Sequence, residues 1–258
     1  MAFEDPKHPE SGDPIYLSTK TIPPEERLIF ALDVPTVEEA RRLVLTLKEA
    51  VQFYKVGLEL FLAGGASFEL VDWLVGQGKK VFLDLKLYDI PETVARAVRA
   101  LRERPVTFLT VHGDGAILEA AGREKGDLKI LAVTVLTSLD QAGLRDLGFA
   151  GEVSDLVLAR ARRARETGCD GVIASGQEAK ALRDHVGRDL LIITPGIRPA
   201  HPAGIRPADD QKRVVTVEAA LRGGADYLVV GRPIRDAADP YEAALQIQGT
   251  IEGLFLSG

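Results

Sequence analysis

The chain of 258 residues has no asparagine and only one cysteine, one methionine and one tryptophan. A lone cysteine, Cys169, excludes an internal disulfide and any zinc site built on clustered cysteines. No apolar run approaches the roughly 18 residues of a membrane-spanning helix, and the N-terminus lacks a basic-then-apolar secretion signal, so the expectation is a cytoplasmic protein with no membrane partner. Positive charge is also in short supply. With 32 Lys and Arg against 38 Asp and Glu the net charge is −6, which argues against a general nucleic-acid binder but leaves room for a local basic patch around one small phosphate. The scarcity of thermolabile residues beside 14 prolines points to a heat-adapted source, a pattern that a GC-rich genome would equally produce.

What is present is a regular alternation. Residues 1–26 carry five prolines and several charges around a short apolar patch, Ile15-Tyr16-Leu17, and read as a partly ordered extension outside the catalytic domain of 27–258. From Leu28 onward eight short apolar runs recur: LIFALD (28–33), FYKVG (53–57), KVFLDL (80–85), TFLTVH (107–112), KILAVTVL (129–136), GVIAS (171–175), LLIITPG (190–196) and YLVVGR (227–232). Such continuous runs suit parallel strands buried on both faces. Between them lie amphipathic helical patterns at 37–50, 91–103, 155–168 and 217–224, with Pro91 at a first helical position and Gly168 and Gly223 as C-terminal caps. Eight strand-plus-helix units at about 28 residues each predict an α/β fold, a single (β/α)8 TIM barrel. A doubly wound sheet is the rival, but the first strand is followed by ALDVPTVEE rather than by G-x-G-x-x-G. The connections 137–150 and 197–214 are long for this architecture. The second, with three prolines and four basic residues, is a candidate lid.

Barrel enzymes place their chemistry at the C-terminal ends of the strands. Polar residues stand there where apolar ones are expected: Asp33 ending the first run, Lys55 in the second, Asp84-Leu85-Lys86 and Asp89 at the third, His112 at the fourth, Thr137-Ser138 after the fifth and Gly231-Arg232 at the eighth. Period two puts Asp84 and Lys86 on one face, and with helices outside that face is the barrel mouth. A plain ion pair is the simpler reading of Asp84 and Lys86, but Lys55 and Asp33 converging on the same mouth favour a working array, since buried charges are costly unless paired. Asp89 also suits helix capping ahead of Pro91. Pro195-Gly196-Ile197-Arg198 and Gly231-Arg232-Pro233-Ile234, after the seventh and eighth runs, are where barrels often hold phosphate through glycine backbone and guanidinium. His112 reads as a hydrogen-bonded rim histidine, His8 and His201 as loop residues, His185 as a helix-surface residue, and Cys169 as structural, on the stability face.

The stretch FLDLKLYDIPETV, carrying Asp84-x-Lys86-x-x-Asp89-Ile90-Pro91, resembles the signature of the orotidine 5′-phosphate decarboxylase family in its shorter bacterial form. ALD around Asp33, YKVGLELF around Lys55, VTVLTS, TPGIRP, DQKR around Gln211 and VVGRPI follow in the family's order over about 230 residues. The resemblance implies decarboxylation of orotidine 5′-phosphate to uridine 5′-phosphate, the last step of pyrimidine nucleotide synthesis, with neither metal nor cofactor. It implies a Lys55-Asp84-Lys86-Asp89 array in which Lys86 donates the proton, and a homodimer in which Asp89 and Ile90 enter from the neighbouring subunit. Asp33, Lys55, Asp89 and Thr93 would surround the ribose, with Asp84 close to the departing carboxylate. Thr137 and Ser138 would read the pyrimidine, Gln211 would bridge base and phosphate, and Arg232 with Gly231 would hold the phosphate beside Arg198. The loop between Arg198 and Gln211 is longer than the family pattern. Magnesium-dependent relatives, 3-keto-L-gulonate-6-phosphate decarboxylase and hexulose-6-phosphate synthase, share Asp-x-Lys-x-x-Asp but call for a carboxylate where Lys55 stands. A non-catalytic phosphate-binding barrel is a further alternative from another class.

Overall fold

The structure, a computed structural model, describes residues 16–63, 66–113, 115–198 and 214–256. Eight strands pair in chain order, all parallel: β1 (Leu28–Ala31), β2 (Phe53–Gly57), β3 (Lys80–Leu87), β4 (Phe108–His112), β5 (Lys129–Val133), β6 (Gly171–Ile173), β7 (Leu191–Thr194) and β8 (Tyr227–Val230). β8 pairs with β1 and closes the barrel, so the sheet has no free edge and the (β/α)8 reading holds. No helix among the described residues is long and apolar enough to cross a membrane.

The period-two pattern separates two cores. Leu28, Phe30, Tyr54, Val81, Leu83, Leu109 and Val111 face the surrounding helices, whereas Ile29, Phe53, Phe82, Phe108 and Tyr227 fill the barrel interior. The interior aromatics interlock: Phe108 lies 5.1 Å from Phe53, 5.9 Å from Phe82 and 5.2 Å from Tyr227, ring centroid to centroid, the last two edge-on. Edge-to-face contacts of this kind suit the ring quadrupole. They make a dry floor beneath the mouth.

Several ends differ from the sequence reading. β1 stops at Ala31, two residues before Asp33. The Leu32 amide still reaches the Lys55 carbonyl, but Pro35 has no N–H to offer and the Thr36 hydroxyl already caps helix Val37–Leu47 by accepting from the Glu39 amide at 3.1 Å. β5 and β8 likewise end before Thr137 and Gly231. The connection 137–150 holds a short helix, Gln141–Asp146, capped by Asp140, whose carboxylate accepts from the Gly143 amide at 3.0 Å; one and a half turns present too little apolar periodicity to read from sequence. Gly168 takes the left-handed conformation after its helix, and Gly223 caps helix Val217–Arg222 as expected, its amide donating to the Ala219 carbonyl, with Gly224 beyond it at φ 110°. Helix Pro91–Leu101 starts at Pro91 as expected, with Ile90 extended ahead of the proline ring.

Residues 16–26 lie against the N-terminal face of the barrel. The Tyr16 amide donates to the Arg222 carbonyl, Lys20 pairs with Asp226 at 3.2 Å, and Ile22 packs against the interior cluster from below. Asp226 is fully buried and also accepts from Arg183 at 2.7 Å and from the Ile192 amide at 2.8 Å, so its charge is compensated on every side. Residues 1–15 of the expected extension lie outside the described residues, as does most of the candidate lid.

Candidate active site

On β2, β3 and β4 the inward-facing row begins apolar and turns polar two residues later, Phe53-Lys55, Phe82-Asp84-Lys86 and Phe108-Thr110, whereas after β1 it stays apolar through Ile29-Ala31 and reaches Asp33 four residues on. The register sets Lys55 beside Phe82 and Gly57 beside Asp84, so the charges stand at staggered heights above the aromatic floor and meet through side-chain reach. A cavity of about 640 Å3 opens there, lined by Asp33, Lys55, Asp84 and Lys86 at the ends of β1–β3, by Gly231 and Arg232 after the adjacent β8, and by Thr137, Ser138 and Arg198 after β5 and β7.

The charged side is a continuous chain. Lys55 Nζ donates to Asp33 Oδ1 at 2.9 Å and lies 3.4 Å from Asp84 Oδ2; Lys86 Nζ donates to Asp84 Oδ1 at 2.7 Å. Lys55 and Asp84 side chains are only 10% and 12% exposed, so neither would keep its charge without the other. Burial is the largest influence on the Lys55 ammonium and acts to lower its pKa, but the charges and hydrogen bonds of Asp84 and Asp33 together outweigh it and hold the pKa above the ordinary lysine value. Asp84 mirrors this. Burial pushes its carboxyl up, whereas Lys55, Lys86 and the hydrogen bonds from Lys86 and Thr110 bring it below the ordinary value. Both groups are therefore charged throughout the neutral range. Gly57 leaves room for this arrangement: a Cβ there would stand 3.1 Å from Lys55 Nζ and 3.3 Å from Asp33 Oδ1, pressing on the pair.

Simple alternation places Asp84 and Lys86 in the mouth, but the strand is not simple. From Leu83↔Leu109 the pairing of β3 with β4 resumes only at Leu87↔Val111, and within this bulge Lys86 has φ 48°. A long side chain in the left-handed region is strained, and such strain is concentrated where geometry matters for function.

After β7, the Arg198 amide donates to the Val215 carbonyl at 2.9 Å and Gly196 adopts φ 77°. Arg232 opens the short helix Arg232–Arg235 directly after Gly231. Gln211 lies outside the described residues. Asp89, Ile90 and Thr93 are exposed and stand outside the walls of this cavity; Asp89 Oδ1 accepts from the Ile90 amide at 2.7 Å instead of capping the helix. His112 is half-buried with its ring 5.1 Å from Tyr88, and burial, followed by the charges of Arg160 and Lys86, lowers its pKa. Cys169 is buried, and burial pushes its thiol up to about 11.

Two site residues escaped the sequence reading. Thr110 is fully buried and touches both Asp84 and the Lys86 amide; its signal was a hydroxyl in the inward row of an otherwise apolar strand, FLTVH. Arg235, one helical turn beyond Arg232, lines the cavity and donates to the Asp33 carbonyl at 2.7 Å, tying the loop after β1 to the turn after β8. Among the described residues, no three of His, Cys, Asp and Glu come together in a way that could hold a metal ion.

A closed (β/α)8 barrel whose charges are gathered at the C-terminal mouth, over a packed aromatic floor, defines an enzyme-type barrel. Residues 26–247 match the sequence profile of the Orotidine 5′-phosphate decarboxylase / HUMPS family, and the chain belongs to this family. It is 61% identical over 245 residues to the orotidine 5′-phosphate decarboxylase of Methylococcus capsulatus, covering 95% of this chain and 100% of that one. Against the Nitrobacter winogradskyi protein of the same name, identity is 54% over 224 residues, covering 86% and 91% of the two chains. The crystal structure of orotidine 5′-phosphate decarboxylase from Lactobacillus acidophilus superposes with a TM-score of 0.76 at 35% identity, over 88% of this chain and 99% of that one.

Proposed function

We propose that the cavity takes orotidine 5′-phosphate and releases uridine 5′-phosphate and carbon dioxide without a metal or organic cofactor, in the cytoplasm. The observation that carries this reading is the Lys55–Asp84–Lys86 chain, buried at Lys55 and Asp84 and open at Lys86, two ammonium ions flanking one carboxylate at the mouth of a family barrel. Breaking the bond from pyrimidine carbon six to the carboxylate leaves an electron pair in an in-plane orbital that the ring delocalises poorly. The Lys86 ammonium stabilises that pair as it develops and then transfers a proton to carbon six, leaving a neutral amine that regains its proton from solvent. Asp84, held charged beside the leaving carboxylate, opposes the ground state more than the transition state, in which that charge departs as neutral carbon dioxide. Asp33 and Lys55 hold the ribose hydroxyls, Thr137 and Ser138 read the pyrimidine edge, and Arg232 with the Gly231 backbone holds the phosphate, with Arg198 and Gln211 completing the site. The grip on the phosphate, remote from the reacting carbon, supplies binding free energy for orienting the ring.

The purified full chain, assayed in excess chelator for loss of orotidine 5′-phosphate absorbance, is expected to turn over at the same rate as without chelator. Turnover that vanishes with chelator and returns with magnesium would overturn the reading in favour of the metal-dependent sugar-phosphate chemistry, to which the cation at Lys55 is opposed.

The exposure of Tyr88, Asp89 and Ile90 beyond the cavity of their own chain supports a homodimer in which Asp89 and Ile90 complete the partner's site and Asp89 and Thr93 close around its ribose. Lys86→Ala and Asp89→Ala chains, each inactive alone, are expected to regain about a quarter of wild-type activity when randomly mixed, because half the dimers are then mixed and one of their two sites is intact. A verified heterodimer with no activity would place Asp89 in its own chain's site.

A further inference from the structure

On the reading above, we propose that Thr110 is a positioning residue for the reaction, setting the Asp84 carboxylate and the Lys86 backbone in one geometry through a single hydroxyl. Thr110 Oγ1 donates to Asp84 Oδ1 at 3.0 Å and accepts from the Lys86 amide at 2.9 Å. The need for it follows from the bulge. Between the pairs Leu83↔Leu109 and Leu87↔Val111, β3 advances four residues while β4 advances two, and Thr110 is the one β4 residue facing that excess. A β3 amide in the bulge loses its place in the ladder, and a buried N–H must find another acceptor. The Thr110 side chain is that acceptor for Lys86.

The same oxygen then spends its own proton on the carboxylate that Lys86 Nζ grips at 2.7 Å. A closed circuit results: Lys86 amide to Thr110 hydroxyl, hydroxyl to Asp84 Oδ1, and Asp84 Oδ1 back to the Lys86 ammonium. A hydroxyl that accepts and donates at once is polarised in both directions, which tightens each bond. The circuit holds Lys86 at φ 48°, a conformation L residues rarely adopt, and so decides where the Lys86 Nζ stem begins. Thr110 itself is fully buried at the level of the array and is absent from the cavity wall, so it acts through Asp84 and Lys86 and not on the substrate. Valine would fill the same volume and keep the β-branched fit to the strand, but it would leave the Lys86 amide without its acceptor and Asp84 without its third partner.

The test compares Thr110→Val, Thr110→Ser and wild-type full-length protein. Thr110→Val is expected to lower kcat on orotidine 5′-phosphate by about 10–100-fold, with KM and uridine 5′-phosphate affinity within about threefold of wild type, because small misplacements of catalytic groups act on the chemical step. Thr110→Ser, which restores the hydroxyl, is expected to recover kcat to within about threefold. If Thr110→Val does not fold, Thr110→Ala against Thr110→Ser makes the same comparison in a less crowded site. A hydroxyl-free variant with wild-type kcat, or a serine variant as slow as the hydroxyl-free one, overturns the assignment. A wild type that fails to decarboxylate orotidine 5′-phosphate overturns the functional reading instead.

Discussion

Lys86→Ala is expected to abolish decarboxylation, with kcat falling by about 10⁴-fold or more while uridine 5′-phosphate still binds within about tenfold of the wild-type affinity. The size follows from the two tasks assigned to one ammonium. Removing a preorganised group from beside developing negative charge costs about 10²–10³ in rate, and removing a positioned proton donor costs about 10²–10⁴. Ligand binding is expected to survive because, on the proposed reading, the product lacks the carboxylate and its contacts fall to Asp33, Lys55, Thr137, Ser138 and Arg232. The fold survives because Lys86 sits at the open end of the array, with its side chain 32% exposed, and Asp84 retains Lys55 at 3.4 Å and the Thr110 hydroxyl at 3.0 Å. Steady-state kinetics, calorimetric titration with uridine 5′-phosphate and a melting curve separate the three effects. A variant that keeps activity within about tenfold of wild type would remove Lys86 from the chemistry.

Arg232→Ala is expected to weaken uridine 5′-phosphate binding by about 10²–10³-fold and to leave uridine binding within about threefold. A guanidinium meets a phosphate with two parallel hydrogen bonds, and truncating one partner of such a charge pair leaves the other desolvated and unpaired. Arg232 suits this role because it lines the cavity at the start of the turn that follows β8. The discriminating quantity is the ratio between nucleotide and nucleoside, since a general loosening of the mouth would weaken both. Equal losses for the two ligands would move the phosphate elsewhere.

The legible parts of this protein were those governed by local rules. Eight apolar runs in strict alternation with helical patterns specify a barrel because each strand must be buried on both faces and each helix on one. Asp84 and Lys86 were readable as a mouth-facing pair because a charge two residues from another on a buried strand shares its face, and both do line the cavity. The helix start at Pro91 was readable from side-chain chemistry alone. Strand ends were less so. β1 stops at Ala31, two residues short of the apolar run's end, because Pro35 and the Thr36 cap already commit the chain to the next helix. The helix Gln141–Asp146 was too short for periodicity to reveal, and residues 16–26 looked like an extension because their partners, Arg222 and Asp226, lie some two hundred residues away.

By itself, then, the sequence determined the architecture, the face on which the chemistry sits and the residue types assembled there, because burial, alternation and turn chemistry act over a few neighbouring positions. Only the tertiary structure decided how those residues are held. The bulge that puts Lys86 at positive φ, the Thr110 hydroxyl that answers it from the next strand, and the Arg235 contact that ties β8 back to Asp33 each join segments distant in the chain. Such contacts arise when strands come into register and a buried N–H or carboxylate must find a partner, and that demand exists only once the barrel has closed.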